Sequence, residues 1–185
     1  MLNTRGSGGF TLVELAIVLV IVGLLLGAIL RGQAMIQNAK MKRLKSDVDG
    51  LVAAVFSYQD AYGALPGDDP NASKRWSGMS DGNGDGIWQS SEGVKVWQHL
   101  IRAGLISGDY TETSETRIAK RNPFGGRYLF RYYGGSIGKN YLYVDNVPYD
   151  VARALDEKYD DGKYWDGSIR LTGTRGLVDM RWFVF

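Results

Sequence analysis

The chain has no cysteine and, in 185 residues, a single histidine, His99. The first absence excludes disulfides as a staple and a thiolate as nucleophile or metal ligand. The second excludes paired-imidazole sites, and His99 alone is a poor zinc ligand or general base, expected at the surface or the core edge. An excess of one charge is lacking too. The formal net charge is +2, which favours neither nucleic acid nor an acidic partner. No Walker-type phosphate loop is present, because neither Gly-Lys pair is followed by Ser or Thr. Gly134-Gly135-Ser136-Ile137-Gly138 has G-x-S-x-G spacing, but a nucleophile elbow needs a following helix and a later histidine. Here a strand is expected to follow, and His99 comes earlier. Only carboxylate pairs remain for catalysis, and the chain reads as a non-enzyme.

Cations are missing where they would matter most. From Phe10 to Leu30 the only ionisable side chain is Glu14. This run matches the ~20 residues a helix needs to cross a bilayer. A carboxylate inside such a run costs about 2.5–3.5 kcal/mol on insertion scales, so a partner is expected. With no cation in its own segment, Glu14 points to another chain.

The stretch Gly8-Gly9-Phe10-Thr11-Leu12-Val13-Glu14 and the apolar run behind it resemble the amino-terminal signature of type IV pilins and type II secretion pseudopilins. The run is long for a secretory signal peptide, and no A-x-A-like cleavage site follows it. The resemblance implies that a prepilin peptidase cuts after Gly9 and methylates the new amino terminus at Phe10. It implies further that Glu14 pairs with the amino terminus of a neighbouring subunit. The partners implied are other pilin-like subunits in a homo- or hetero-oligomeric filament, an inner-membrane assembly platform and, before assembly, membrane lipid. The amino end would be cytoplasmic and the carboxyl end periplasmic, with the assembled chain in a pilus or pseudopilus at the cell surface or in the periplasm. A plain count of Arg31, Lys40, Lys42, Arg43 and Lys45 after the span gives the opposite orientation. The same basic cluster reads as a solvated helix face or lipid-headgroup contact, and without interleaved aromatics nucleic acid is not expected as a partner.

Beyond the span, Leu44, Val48, Leu51, Val52, Val55, Gln59 and Tyr62 share one helical face, with Lys45, Asp49, Ser57 and Asp60 off it. Gly63 and Pro66 supply the stop. Within the span, Gly23 and Gly27 offer a small-residue face for close helix packing. There is no helix-breaking proline near Arg31-Gly32, so the spacing predicts one rod on the order of 80 Å from Phe10 to Tyr62. The expected class is α+β, pilin-like: a long amino-terminal helix, membrane-spanning in its first half, packed on a small antiparallel sheet domain. Residues 1–9 would be the leader, 10–30 the assembly helix, 31–63 the amphipathic stem and 64–185 the periplasmic or extracellular globular domain.

Asp81-Gly82-Asn83-Gly84-Asp85-Gly86, with Glu92 after it, fits the D-x-[DN]-x-[DN]-G-x₅-E calcium-loop pattern at each specified position. Alternate carboxylate and amide oxygens converge, Gly86 permits the reversal and Glu92 closes the site. The expected ligands are Asp81, Asn83, Asp85, Ile87 through its carbonyl, Gln89 directly or through water, and Glu92. All-oxygen donors favour Ca²⁺. No helix leads in, since Pro66–Ser80 reads as coil, so this is an isolated loop; the competing reading is a Gly/Asp-rich turn with solvated acids. Secretion pseudopilins as a family use calcium in a loop of the globular domain.

After the loop, Glu92–Ala103 suits an amphipathic helix with Val94, Trp97, Leu100 and Ile101 inward, stopped by Gly104. Thr111–Thr116 reads as loop. Arg127–Tyr133 and Asn140–Val147 form a hairpin, and Val151–Tyr159 a helix with Asp150 as N-cap. Asp160-Asp161-Gly162 reads as a helix-end turn, with Asp160 and Asp161 joining a metal site as the alternative. Ser168–Thr172 and Leu177–Phe185 form a second hairpin. In its last strand Val178, Met180, Trp182 and Val184 share a face opposite Asp179 and Arg181. The functional expectation is a type IV pilus-like filament subunit. The alternatives are a secretion pseudopilin and, in another class, a monomeric membrane-anchored calcium-binding protein.

Overall fold

The computed structural model describes residues 11–135 and 137–184. The expected cleavage junction, Gly9 and Phe10, lies outside the described residues. The chain divides into two compact units, Met1–Ala39 and Lys40–Phe185.

Helix α1 (Leu12–Tyr62) has 51 residues. It is rich in Leu, Ala and Val, contains no proline, and ends where Gly63 turns to positive φ. In the first unit the described side chains through Arg31 are exposed, among them Leu12 at 86% and Leu19 at 71%. Apolar residues surround the helix on all sides here, with a mean hydropathy of 2.9 over 18 residues. A helix of that kind requires hydrocarbon or other helices around it.

The second unit is an α+β domain whose core includes the carboxyl part of α1. That part buries Leu44, Val48, Leu51, Ala54, Val55 and Tyr58. Of the expected stripe, Leu44, Val48, Leu51 and Val55 are buried and Val52 is only partly so; beyond Val55 the face rotates, with Gln59 exposed, Tyr62 partly buried and Tyr58 in the inner position. The cause is polar, because the Tyr58 hydroxyl donates to buried Asp69 at 2.7 Å.

Four strands make one antiparallel sheet: β1 (Tyr128–Tyr133), β2 (Lys139–Pro148), β3 (Ile169–Leu171) and β4 (Leu177–Phe183), in the order β1-β2-β4-β3. Tyr128 pairs with Val144 and Tyr133 with Lys139. Val144 pairs with Met180, and the β2–β4 register slips between Val144 and Val147. Both expected hairpins are present. Tyr128, Phe130, Leu142, Val144, Val147, Val178 and Met180 face the core that α1 also enters. Burying each such side chain contributes about 1.5–3 kcal/mol. Asp47 of α1 adds a polar tie, accepting the Tyr128 hydroxyl at 3.1 Å and the Lys120 ammonium at 2.7 Å.

The remaining helices differ from expectation in detail. The stretches read as coil or loop carry two single turns, α2 (Ala72–Arg75) and α4 (Glu115–Ile118). Helix α3 (Gly93–Arg102) buries Val96, Trp97, His99 and Leu100, whereas Val94 and Ile101 are half-buried. It ends in a Schellman turn, with Gly104 N–H on the Ile101 carbonyl at 2.9 Å and Leu105 N–H on the Leu100 carbonyl at 3.0 Å. Helix α5 (Tyr149–Tyr159) has Pro148 at its N-cap, so Asp150 is the second helical residue and lies in the first turn instead of capping it. A carboxylate there still complements the positive end of the helix.

Candidate functional site

Glu14 is held by the first turn of its own helix. Its carboxylate accepts the Thr11 backbone N–H and the Thr11 hydroxyl, each at 2.8 Å, while Thr11 Oγ1 accepts the Glu14 N–H at 3.2 Å. This is a capping box, in which two otherwise orphaned backbone donors are satisfied reciprocally. The Thr11-x-x-Glu14 spacing is the sequence signal for this cap, which meets the carboxylate from within its own chain where a cation on another chain is expected. The carboxylate can therefore be tolerated in a single chain without a counter-ion.

In the second unit, the loop following Pro66 is pinned from several sides. Asp68 is 3% exposed, and its carboxylate accepts three successive backbone N–H groups, from Gly84 at 2.6 Å, Asp85 at 3.1 Å and Gly86 at 2.7 Å. Gly82 packs so closely on the Asp68 backbone that a Cβ would overlap it, and Gly86 has φ +82. Asn140 of β2 clamps the far side: its Oδ1 accepts the Trp88 N–H at 2.8 Å and its Nδ2 donates to the Gly86 carbonyl at 2.9 Å. Trp88 is fully buried and donates its indole N–H to the Pro66 carbonyl at 3.0 Å.

Of the expected ligands, Asp85 and Glu92 come together, and Asp68 joins them. One carboxylate oxygen from each lies within 4.8 Å of the others. Asp81 is engaged elsewhere. Its carboxylate accepts the Ser73 N–H and hydroxyl, both at 2.7 Å, which hold its pKa below the ordinary aspartate value. Asn83 and Gln89 donate their amide N–H groups to Asp85 Oδ2 at 2.7 and 2.6 Å. Half a turn about either amide would present its oxygen in the same direction. Ile87 donates its N–H to Asp85 Oδ1 at 3.1 Å. The sequence pattern did not reach Asp68, because nothing local marks an acid in an expected coil as buried.

The donor set suits a hard cation. Asp68 and Glu92 are both 3% exposed, and among the described residues neither forms an ion pair. Burial raises the Glu92 carboxyl above its ordinary value, and the charge of Asp68 adds to this against the Gln89 N–H. Lys95 acts on Glu92 only from beyond ion-pair distance; buried charge of one sign without a direct ion pair is costly, and a divalent ion among three carboxylates and two amides would offset it.

His99 differs most from expectation. It is fully buried, with Nδ1 accepting the Gly67 N–H and Nε2 bound to the Ser80 carbonyl, both at 2.9 Å. The imidazole therefore ties the Gly67 and Ser80 ends of the loop to α3, and burial lowers its pKa. Beside it, buried Asp69 accepts the Tyr58 hydroxyl and pairs with Arg75, whose guanidinium lies 4.7 Å from the Tyr62 ring centre. Both ring nitrogens are occupied by the backbone, so His99 is a structural clamp.

No curated protein and no solved structure matches this chain. A family model described as the prokaryotic N-terminal methylation motif matches residues 4–30. The chain thus carries the prepilin signature of type IV pilins and pseudopilins.

Proposed function

We propose that this chain is a structural subunit of a type IV pilus-like filament, cut by a prepilin peptidase after Gly9, methylated on Phe10 and assembled through α1. The observation that carries this is the exposed apolar surface around residues 12–30, interrupted by one acid that is already capped within its own chain. Such a surface is stable in lipid, and in a bundle of like helices after extraction from the inner membrane. In the bundle Glu14 exchanges part of its capping box for the methylated amine of a neighbour. The globular domain is then carried on the periplasmic side and, in the filament, faces outward.

Calcium belongs to the same proposal. Asp68, Asp85 and Glu92 would hold Ca²⁺, with Asn83 and Gln89 turning their amide oxygens inward and Ile87 offering its carbonyl. Asp81, which the pattern also names, holds Ser73 and steadies the loop from outside. In a domain without cysteine, the ion would do the work of a cross-link, fixing the loop to α3 and β2. This acid cluster also favours the second reading, a secretion pseudopilin, since calcium in the globular domain is a feature the resemblance attaches to that branch.

Mass spectrometry of the mature amino terminus tests the assembly reading. The filament class requires a methylated Phe10, and a chain retaining Met1 through Gly9 would instead be a monomeric anchored protein. Deletion separates the two branches: loss of a surface pilus supports the first, and loss of exoprotein release supports the second.

A further inference from the structure

The sequence favours a plain helix-end turn after α5, with Asp160 and Asp161 as metal ligands the lesser alternative. The turn gathers Asp156, Asp160 and Asp161, one carboxylate oxygen of each lying within 4.8 Å of the others. Asp156 comes from the last turn of α5 and is 1% exposed. Its Oδ1 is shut off from solvent and has no hydrogen-bond partner. The Gly162 N–H also meets this carboxylate, but a buried carboxylate with one orphaned oxygen, gathered with two further carboxylates, is a strongly unfavourable arrangement unless something positive joins it.

The helix makes the deficit worse. The carboxyl end of an α-helix carries roughly half a negative charge, and acids there are destabilising. The cations nearby are largely committed. Lys158 lies over the Tyr159 ring at 5.2 Å, Arg153 pairs with Glu157 at 2.7 Å and Arg170 with Asp166 at 3.3 Å. Lys163 approaches Asp161 at only 3.9 Å and does not pair with Asp156. The other oxygens are partly used in shaping the turn. Asp160 Oδ2 accepts the Ile169 N–H at 2.8 Å, and Asp161 Oδ1 accepts the Lys163 N–H at 2.9 Å.

We propose that Asp156, Asp160 and Asp161 form a second divalent-cation site, selective for a calcium-like ion, that ties the end of α5 to the start of β3. The donors are all oxygen, which favours a hard cation over zinc or copper. Asp161 is exposed and Asp160 half-buried, so one side stays open to the waters that complete a six- to eight-oxygen shell. A site with three carboxylates and an open face belongs at the weak extracellular end of the scale, with Kd about 10⁻⁴–10⁻³ M. This inference is independent of the calcium loop at residues 81–92.

The test is calcium binding by equilibrium dialysis, using the full-length chain in detergent micelles. Asp85→Asn combined with Glu92→Gln silences the first loop; this background should still bind about one Ca²⁺ in the range given above. Adding Asp156→Asn, which keeps the shape, should abolish that binding. Asp161→Asn, at an exposed position, should weaken it at least about tenfold, since even outer-sphere changes cost roughly 10–100-fold. Lys163→Ala should leave binding equal or tighter. A background that binds no calcium, or an Asp156→Asn variant that still binds it, overturns the proposal. If the first loop is only a turn, the unsubstituted chain binds one ion and loses it through Asp156→Asn alone, so the two sites fail separately.

Discussion

Replacing Asp68 with Ala asks whether this acid, absent from the calcium-loop pattern, is what holds the loop to the domain. Its carboxylate accepts three backbone N–H groups, from Gly84, Asp85 and Gly86. Hydrogen bonds to a charged group are worth about 1.5–3 kcal/mol each, but the sum is an upper bound. The Gly84 N–H also donates to the backbone carbonyl of residue 68 at 2.9 Å and keeps that bond, while Asp85 and Gly86 are exposed, so their freed donors can turn to water. Removing Asp68 also relieves its repulsion of Glu92. The net loss should be about 2–4 kcal/mol, a large share of the 5–15 kcal/mol typical of a domain. For a unit of this size that lowers Tm by about 5–15 °C. The measurement is near-ultraviolet circular dichroism of the full-length chain in detergent with chelator present, where Trp88, buried within the loop, reports its release. Asp81→Ala is the control, because its partner Ser73 is exposed and the cost should stay within about 1 kcal/mol. If Asp81→Ala destabilises as much as Asp68→Ala, or if Asp68→Ala melts with the parent, Asp68 is not the anchor.

Three further outcomes follow from the same geometry. His99 has a pKa lowered by burial, so the folded state resists protonation; stability is complete above the unfolded value of about 6.5 and declines as pH falls from there toward the folded value. Urea midpoints between pH 8 and 5 should fall in the parent and flatten in His99→Gln, and parallel slopes would remove the clamp role. Gly82→Ala would force a Cβ into the Asp68 backbone and should cost about 1–3 kcal/mol in the same melting assay, whereas a neutral result would mean the loop stands off the domain. Glu14→Ala should leave cleavage and methylation at Phe10 intact by mass spectrometry while filament yield collapses, and normal filaments would show that the acid serves only its own helix.

What spacing can reveal is set by how local the cause is. The end of α1 at Tyr62, the two hairpins and the stop at Gly104 follow from periodicity, glycine and strand alternation, all properties of neighbouring residues. The inner face of α1 beyond Val55 does not, because Tyr58 is drawn in by Asp69, eleven residues further on and in a segment without periodicity. His99 illustrates the same limit. Its helical position was predicted, but its burial depends on a Gly67 N–H and a Ser80 carbonyl that only the folded loop brings to it.

The calcium pattern exposes a subtler failure. A linear motif assumes that all ligands of an ion come from one loop, as they do when helices on both sides hold that loop rigid. Here no helix enters, and rigidity has to come from across the chain. Asp68 provides it by gripping the backbone at Gly84, Asp85 and Gly86, and in doing so enters the cluster with Asp85 and Glu92. Asp81, at the motif's first position, is left free to serve Ser73. Asp156 lies outside any motif for a related reason: its four- and five-residue spacing to Asp160 and Asp161 looks like helix-end decoration until burial leaves one oxygen unpartnered. In both places the chemistry is decided by which carboxylates lose water on folding, and that depends on packing between segments distant in the chain.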